Sequence, residues 1–284
     1  MSEKSTFKKS RGIKRIAVLA VLAVIVFYVV WQIISQFTFT TTFYKLKSDK
    51  LGNGFRVVEL ADLHLKEYGK DNSWLIAKVE SLAPDIIVGA GDMNINTNPD
   101  YSKVISLFSR LTSVAPVYYG LGNHEIDVMG GCDIVKDLEE AGVTVLSNQS
   151  KLITVNGDKV NIFGFNGKDD GYRYNTKKPY EEYSSSHHGV FKLMICHYPS
   201  VFLNLLPEEE IDLALSGHVH GGIINIPFKG GMYSTEEGFW PSLYEGYHRI
   251  GKTNLVISRG LGSSNRIPRI NNQPEIVVVD MEAK

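Results

Sequence analysis

Cysteine is scarce in this chain of 284 residues, which contains only Cys132 and Cys196. Neither residue lies in a CxxC pair or in another spacing typical of metal ligands, so the sequence offers no thiolate metal motif. Cys196 ends the apolar run VFKLMIC and is predicted to be a small buried core residue rather than half of a disulfide. The two cysteines leave the redox compartment open.

An excess of charge of one sign is also lacking, because the formal net charge is -1. Overall basicity therefore gives no argument for nucleic acid as a partner, and none is expected. The sequence has no internal repeat, no low-complexity linker and no HExxH motif, and the last absence argues against a metal-dependent peptidase of that type. The apolar fraction of 43% and the charged fraction of 21% are typical of a folded globular protein.

A long uncharged apolar run does occur, IAVLAVLAVIVFYVVWQIIS from Ile16 to Ser35. Its length matches the roughly 20 helical residues that cross the hydrocarbon core of a bilayer, so it predicts one transmembrane helix. A cleaved signal peptide is the alternative, but its apolar region is shorter and ends in small residues, whereas this run ends in Tyr28, Trp31 and Gln32. A buried core helix is disfavoured because the run is apolar on all sides.

More basic residues precede this run than follow it in the nearest stretch. Residues 1–15 contain Lys4, Lys8, Lys9, Arg11, Lys14 and Arg15, whereas the stretch after the run has Lys45, Lys47 and Lys50. This bias predicts a single-pass protein of the cell membrane with a basic cytoplasmic segment at residues 1–15 and the remainder extracytoplasmic. Residues 16–35 form the predicted span, residues 36–54 a predicted linker, and residues 55–284 one predicted domain.

From Phe55 onward, β-rich apolar runs of strand length alternate with segments of helical period, the pattern of a layered α/β domain. Helices are predicted in SWLIAKVESL, DYSKVISLFSRL and CDIVKDLEEAG, the last of which ends at Gly142. Asn156-Gly157-Asp158 predicts a hairpin between two alternating runs. The result is one domain whose sheets lie between covering helices.

Residues with metal-binding side chains follow five of the predicted strands. The five groups are Asp62-Leu63-His64, Gly91-Asp92, Gly122-Asn123-His124-Glu125, His197 and Gly217-His218-Val219-His220. Because the loops beyond the carboxyl ends of strands in an α/β sheet converge, these groups are expected to meet at one site. Carboxylate oxygens and neutral imidazole nitrogens bind divalent first-row metals, and one aspartate can bridge two ions.

The ordered series DLH, GD, GNHE, ICH and GHVH resembles the calcineurin-like metallophosphoesterase superfamily from about Phe55 to the C-terminus. The later segments LSGHVHGG, YEGY, LVISRGLG, PR and PEIVVVD resemble its bacterial membrane-associated branch, which includes UDP-2,3-diacylglucosamine hydrolase-like phosphodiesterases. The resemblance implies an α/β/β/α metallophosphoesterase sandwich, preceded here by one transmembrane helix. Two departures are Ala61, where many members have serine, and GDMNIN, which lacks an acidic residue often found after GD.

The resemblance also implies the site residues of a hydrolase that cleaves phosphoester or phosphoanhydride bonds. Two divalent ions, such as Mn, Fe or Zn, would be bound, the first by Asp62, His64, Asp92 and His220. The second would be bound by Asp92, Asn123, His197 and His218. A bridging hydroxide would attack phosphorus in line, while His124 would be the catalytic residue facing the leaving group. Glu125 is expected to be a supporting residue, and His187, His188 and His248 are expected to lie outside the site.

Several assignments remain open at this point. The substrate is expected to be a phosphorylated small molecule or a lipid-linked one. One candidate is a phosphodiester or pyrophosphate resembling UDP-2,3-diacylglucosamine, which would give the enzyme a role in lipid A biosynthesis. The other is an unrelated phosphoester of the cell envelope. A non-catalytic metal-binding scaffold is the alternative from a different class. The aromatic stretch GFWPSLYEGY at 238–247 predicts either a rim that contacts lipid or a packed loop. Arg259 or Arg266 is a candidate phosphate donor, with a salt bridge at the sheet edge as the alternative.

Overall fold

The computed structural model describes residues 2–126, 134–167, 177–234, 236–263 and 267–284, with side chains from residue 14 onward. The chain begins with helix α1, Ser2–Ser35. Its apolar part, Lys14–Ser35, is long and apolar enough to cross a membrane, and its side chains lie outside the folded core. This agrees with the span predicted at residues 16–35.

The first sheet has six strands in the order β1, β16, β2, β3, β4, β5. The strand β16 pairs in parallel with β1 and antiparallel with β2, and β2 to β5 are parallel. Their bounds are β1 Thr40–Ser48, β2 Phe55–Leu60, β3 Ile86–Gly89, β4 Val117–Gly120, β5 Thr144–Leu146 and β16 Glu275–Ala283.

The second sheet has six strands in the order β14, β15, β9, β8, β7, β6, with parallel pairing from β15 to β7 and antiparallel pairs at both edges. Their bounds are β6 Ser150–Val155, β7 Asp158–Phe165, β8 Phe191–Cys196, β9 Leu213–Ser216, β14 Gly246–Ile250 and β15 Thr253–Ile257. Two short hairpins lie between β9 and β14: β10 Asn225–Ile226 with β11 Gly230–Gly231, and β12 Tyr233–Ser234 with β13 Gly238–Phe239.

Helices cover the outer face of each sheet. The first sheet is covered by α2 Ser73–Ser81, α3 Ser102–Leu111 and α5 Ile134–Glu140, and α4 Asn123–Ile126 follows β4; the second is covered by α6 Lys177–Ser185 and α7 Val201–Asn204. A third apolar cluster fills the space between the two sheets. The predicted α/β/β/α sandwich is confirmed. Cys196 is buried as a free thiol, as predicted, and Cys132 lies outside the described residues.

The hairpin predicted at Asn156-Gly157 is present, because Val155 pairs with Asp158 across a two-residue turn. Both turn residues have positive φ, 51° for Asn156 and 87° for Gly157. This is the geometry that joins two antiparallel strands with the correct twist, and Asn-Gly adopts it readily.

The predicted linker at residues 36–54 is wrong in its central part, because β1 occupies nine of these residues and pairs with β16 along its whole length. The segment TTTFYKLKS alternates between the two faces of the sheet, and Tyr44 and Leu46 pack on the core between the sheets. The alternation is visible in the sequence, but β16, the strand with which this segment pairs, is the last strand of the chain. Only Gln36 to Phe39 separate α1 from the first strand.

Candidate metal centre

The loops after β2 and β3 run side by side and carry two aspartates. The backbone N–H of Asp62 donates to Gly91 O at 3.0 Å, and that of His64 donates to Asp92 O at 3.2 Å. These bonds extend the pairing of the two strands into the loops, and both carboxylates are buried at the carboxyl edge of the sheet. The DLH and GD motifs are therefore brought together.

The loop after β4 closes against Asp92. A Cβ atom at Gly122 would lie 2.2 Å from Asp92 Oδ1, so only glycine allows this approach. Directly after it, the backbone N–H of His124 donates to Asp92 Oδ1 at 2.9 Å. Asn123 and His124 thus begin the short helix α4 beside the first two loops.

The second sheet supplies the remaining ligands from the ends of β8 and β9. A Cβ atom at Gly217 would lie 2.4 Å from Asp62 Oδ2, and the backbone N–H of His218 donates to Asp62 Oδ2 at 3.0 Å. His197 lies between the aspartates, with Nε2 3.1 Å from Asp92 Oδ2 and 3.9 Å from Asp62 Oδ1. Loops of both sheets therefore meet at one point.

The ligand atoms form overlapping groups, each with all its atoms within 4.8 Å of one another. One group contains Asp62, His64 and His220, and a second contains Asp92, His197 and His218. In the second, His218 Nδ1 and His197 Nε2 lie only 3.2 Å apart and converge on one position. Each of these two groups contains three of the four residues expected to bind one ion.

Neighbouring groups orient the ligand atoms. His197 Nδ1 donates to Ala90 O at 2.7 Å and His64 Nδ1 to Asn94 O at 3.2 Å, which turns the Nε2 atom of each ring toward the site. Among the described residues, His64 Nε2 and Asn123 Oδ1 are buried without a hydrogen-bond partner. A divalent cation satisfies such buried acceptors, so the side chains fit two metal ions of the kind expected.

His124 has a different environment. The backbone N–H of Asn96 donates to His124 Nδ1 at 2.8 Å, so the neutral ring carries its proton on Nε2. Nε2 lies 3.7 Å from Asp92 Oδ2, and His124 also forms a third group with His64 and Asp92. The ring is only partly buried, unlike those of His64, His197 and His220.

Five of the candidate ligands have a strained backbone. Positive φ occurs at Asp62 (50°), His64 (47°), Asp92 (56°), His218 (70°) and His220 (49°). Side chains other than glycine seldom adopt this region, at a cost of about 1–3 kcal/mol each, and such strain concentrates at functional sites. Positive φ recurs among the ligands, and it also occurs at residues outside the site, such as Ala83 and Asn148.

The buried site contains both neutral and charged groups. Burial raises the pKa of Asp62 to about 7, whereas for Asp92 the attraction of His197 outweighs burial and holds the pKa below its usual range. Burial lowers the pKa of His64 to about 4 and that of His220 well below its ordinary value. For His197, burial is outweighed by Asp92, which raises the pKa to about 10. A metal ion binding here would displace the His197 proton.

Sequence reasoning missed Arg269, whose guanidinium is buried beside the first ligand group. Its Nη2 donates to Gly262 O and lies 3.3 Å from His220 Nδ1. The only sequence signal was the Pro268-Arg269 pair. Arg259 instead forms salt bridges, with Nη2 2.7 Å from Glu275 Oε2 and Nε 3.5 Å from Glu245 Oε2. This is the alternative to phosphate binding that the sequence left open.

The remaining sequence assignments lie away from this cluster. Arg266 is outside the described residues. His187 and His188 are exposed, and His248 contacts the Glu245 carbonyl oxygen at 3.0 Å. None of these three histidines joins a metal-competent group in the described ranges.

Glu125 connects the loops that carry the ligands. Its carboxylate accepts the N–H groups of Asp92 at 2.7 Å, Met93 at 2.9 Å and Gly122 at 2.9 Å, and the hydroxyl of Tyr119 at 3.0 Å. Four buried donors thus depend on one side chain, which supports the role expected for it.

We expect Glu125→Gln to destabilise the fold, because its amide NH₂ would face two of these four donors. Two buried donors left without an acceptor cost about 1–3 kcal/mol each, so the free energy of unfolding should fall by roughly 2–6 kcal/mol. Urea unfolding measures the change, with the exposed Glu139→Gln on α5 as the control. An unfolding midpoint equal to that of the control would contradict the role given to Glu125.

Comparisons with known proteins agree with this geometry. The family model of the calcineurin-like phosphoesterases matches residues 55–222. The uncharacterized metallophosphoesterase YkuE of Bacillus subtilis is 29% identical over 253 residues, which are 86% of this chain and 85% of that protein. The phosphodiesterase YaeI of Escherichia coli is 28% identical over 234 residues, 80% of this chain and 82% of its own. The UDP-2,3-diacylglucosamine pyrophosphatase LpxG of Chlamydia muridarum is 24% identical over 283 residues, 80% of this chain and 83% of its own.

Proposed function

The chain belongs to the calcineurin-like phosphoesterase family and is a phosphoester-hydrolysing enzyme, and we propose that it acts at a membrane surface on a lipid-linked phosphodiester or pyrophosphate. The observation that carries the proposal is the contact between Gln36, the residue that follows α1, and the loop that holds Arg269. Gln36 Nε2 donates to Arg269 O at 2.6 Å, and the backbone N–H of Arg269 donates back to Gln36 Oε1 at 3.2 Å. Arg269 in turn lies against His220.

The contact between Gln36 and Arg269 would hold the metal centre at a fixed distance from the bilayer. If residues 16–35 span the bilayer, Gln36 lies at its surface, and the chain Gln36, Arg269, His220 connects that surface to the ligands through adjacent side chains. A headgroup phosphate would then reach the centre without leaving the membrane. The similarity to LpxG, which is named for a diacylated nucleotide sugar, is consistent with a substrate of this class.

The proposed ligand sets are Asp62, His64, Asp92 and His220 for one ion and Asp92, Asn123, His197 and His218 for the other. The ions would supply Lewis-acid activation of water and neutralise charge on the phosphoryl oxygens. The chain's own residues position this chemistry: Asn94 and Ala90 orient His64 and His197, and Glu125 holds the loop of Asp92. His124 presents an Nε2 proton to the departing oxygen.

The proposed topology places the N-terminus in the cytoplasm and the catalytic domain outside, from the excess of basic residues before the span. Added protease should therefore cut the C-terminal domain on intact cells. Full protection in intact cells, with cleavage after lysis, would reverse the orientation.

The anchor is expected to affect activity on lipid but not on a small substrate. The full chain should stay in the membrane fraction through high salt and alkali, since burial of about 20 apolar residues does not depend on screened charge. A shortened chain beginning at Thr38 keeps all of β1 and should be soluble. It should hydrolyse bis-p-nitrophenyl phosphate as fast as the full chain, yet act at least about 100-fold more slowly on UDP-2,3-diacylglucosamine or a phosphodiester lipid in vesicles, because tethering raises the effective concentration.

The outcomes separate the parts of this proposal. Equal rates of the two chains on vesicles would deny the anchor a catalytic role, and hydrolysis of the diester without hydrolysis of any lipid would reject the substrate class. A mature N-terminus downstream of Ser35 would show that the segment is a removed signal. The shortened chain must begin before β1. A chain that begins at Lys45 lacks about half of β1, so it would leave part of β16 without its partner strand.

A further inference from the structure

A group of exposed apolar side chains lies on the loops beside α1. Phe228 stands at the tip of the β10–β11 hairpin and is fully exposed, and Ile226, in the same hairpin, is 37% exposed. Ile267, on the loop that carries Arg269, is 53% exposed. We call Ile226, Phe228 and Ile267 the apolar tip. Such side chains at adjacent loops are uncommon on a surface that faces only water.

Hydrogen bonds fix these loops at the level of the helix. Asn271 Oδ1 accepts from Tyr28 Oη at 3.0 Å and from Gln32 Nε2 at 2.9 Å. The Asn271 side chain also donates to Asn225 O at 3.1 Å, which ties the β10–β11 hairpin to the same point. The hairpin tip and Asn271 line one cavity of about 450 Å³, so Phe228 lies close to this junction.

The position of Tyr28 indicates the depth. Tyr28 lies seven residues before Ser35, which is about 10 Å along a helix at 1.5 Å per residue. If α1 crosses the bilayer over residues 16–35, a side chain bonded to Tyr28 lies below the surface at which the helix leaves the hydrocarbon. Because an irregular polar loop does not lie in hydrocarbon, Asn271 and the neighbouring hairpin extend to the headgroup layer, where the Tyr28 hydroxyl reaches them.

The composition next to the apolar tip is also that of an interfacial surface. Lys229 Nζ lies 3.4 Å from the ring centroid of Trp240, which is 44% exposed, and Phe239 is 71% exposed. Aromatic rings with lysine are enriched where proteins meet the headgroup layer. These rings belong to the stretch for which a lipid-contacting rim and a packed loop were both open, and their exposure favours the rim.

We propose that the apolar tip inserts into the same leaflet that α1 leaves and forms a second contact of the catalytic domain with lipid. This inference rests on the proposed membrane span of α1. The two contacts lie on different parts of the chain, so they fix the tilt of the domain as well as its distance from the bilayer. One helix alone leaves the domain free to rotate about the helix axis.

The experiment uses the full chain in lipid nanodiscs with an environment-sensitive fluorophore on a single cysteine. Cys132 is replaced by Ser, and Cys196 is buried. The test variant is Phe228→Cys. One control is Val24→Cys, inside α1. The other is Lys159→Cys, an exposed position that follows the Asn156-Gly157 turn. The turn contacts Gly54 and lies at the opposite end of the sandwich from the metal centre.

We expect the fluorophore at 228 to shift to the blue and to be quenched by lipids with a nitroxide near the headgroup, as for a side chain about 5–10 Å into the interface. The fluorophore at 24 should be quenched most by a deep nitroxide, and that at 159 by neither. Quenching at 24 but not at 228 would overturn the second contact while leaving the anchor intact. Absence of quenching at both would overturn the span and this inference with it. Neither reading depends on phosphoesterase activity.

Discussion

The Asp92→Asn variant is expected to lose more than about 100-fold in turnover, because even the loss of an outer partner of a metal ligand costs about 10–100-fold. Asp92 is the side chain shared by the two proposed ion sites, and its carboxylate lies 3.1 Å from His197 Nε2 and 3.7 Å from His124 Nε2. The substitution removes one negative charge from the position between the ions. Occupancy of both ions should therefore fall together.

The fold of this variant should persist, since an asparagine oxygen can still accept the His124 N–H that Asp92 Oδ1 accepts now. Metal content by mass spectrometry, turnover of bis-p-nitrophenyl phosphate and thermal unfolding measure the three quantities. Asp100→Asn is the matched control: it makes the same chemical change on the loop that follows β3, at an exposed residue whose capping bond to Ser102 asparagine can keep. Near-normal turnover of Asp92→Asn with two ions bound would end the assignment of Asp92 as the ligand shared by the two ions.

The layered fold and the gathering of the ligands could be predicted because both follow from local patterns. Each metal-binding group directly follows an apolar run, and parallel strands end at the same edge of a sheet. Asp62 and His220 are distant in the sequence, yet both lie at strand ends and therefore meet. The turn at Asn156-Gly157 was equally local, because two residues determine it.

The features that were not predicted depend on contacts distant in sequence. The strand β1 was hidden because its partner, β16, is the last strand of the chain. Arg269 gave no sign of its place beside His220, which comes from the loop between β15 and β16 and its bonds to Gln36. Aspartate and histidine adopt positive φ more readily than most residues, but the positive φ at Asp62 and His218 follows from the close approach of loops that are distant in the sequence.

The coupling of α1 to the domain was missed for the same reason. From the sequence, residues 36–54 were predicted to be a linker. The side chains of Gln32 and Gln36 instead bond to the backbone of Asn271 and Arg269. The two glutamines at the end of an apolar run were the available signal, since polar side chains there need partners.

His124→Ala is the second large expected effect, and it should differ in kind from that of Asp92→Asn. The ring is proposed to donate its Nε2 proton to the leaving oxygen and to bind neither ion, so both ions should stay while turnover falls by about 10²–10⁴-fold, the usual contribution of one acid–base residue. The loss should depend on the leaving group. A p-nitrophenolate departs without a proton, whereas an alkoxide needs one, so the variant should be impaired far more on an alkyl diester.

Two further variants separate proton donation from a structural role. His124→Gln keeps an amide donor near the position of Nε2 but has no proton to transfer, so it should follow His124→Ala on the alkyl diester. His188→Ala removes an exposed histidine and should change neither substrate's rate. Loss of an ion from His124→Ala would make this residue a ligand, in agreement with its group with His64 and Asp92. Equal losses on both substrates with full metal content would instead show that His124 stabilises charge in the transition state, because a proton donor must distinguish a leaving group that needs a proton from one that does not.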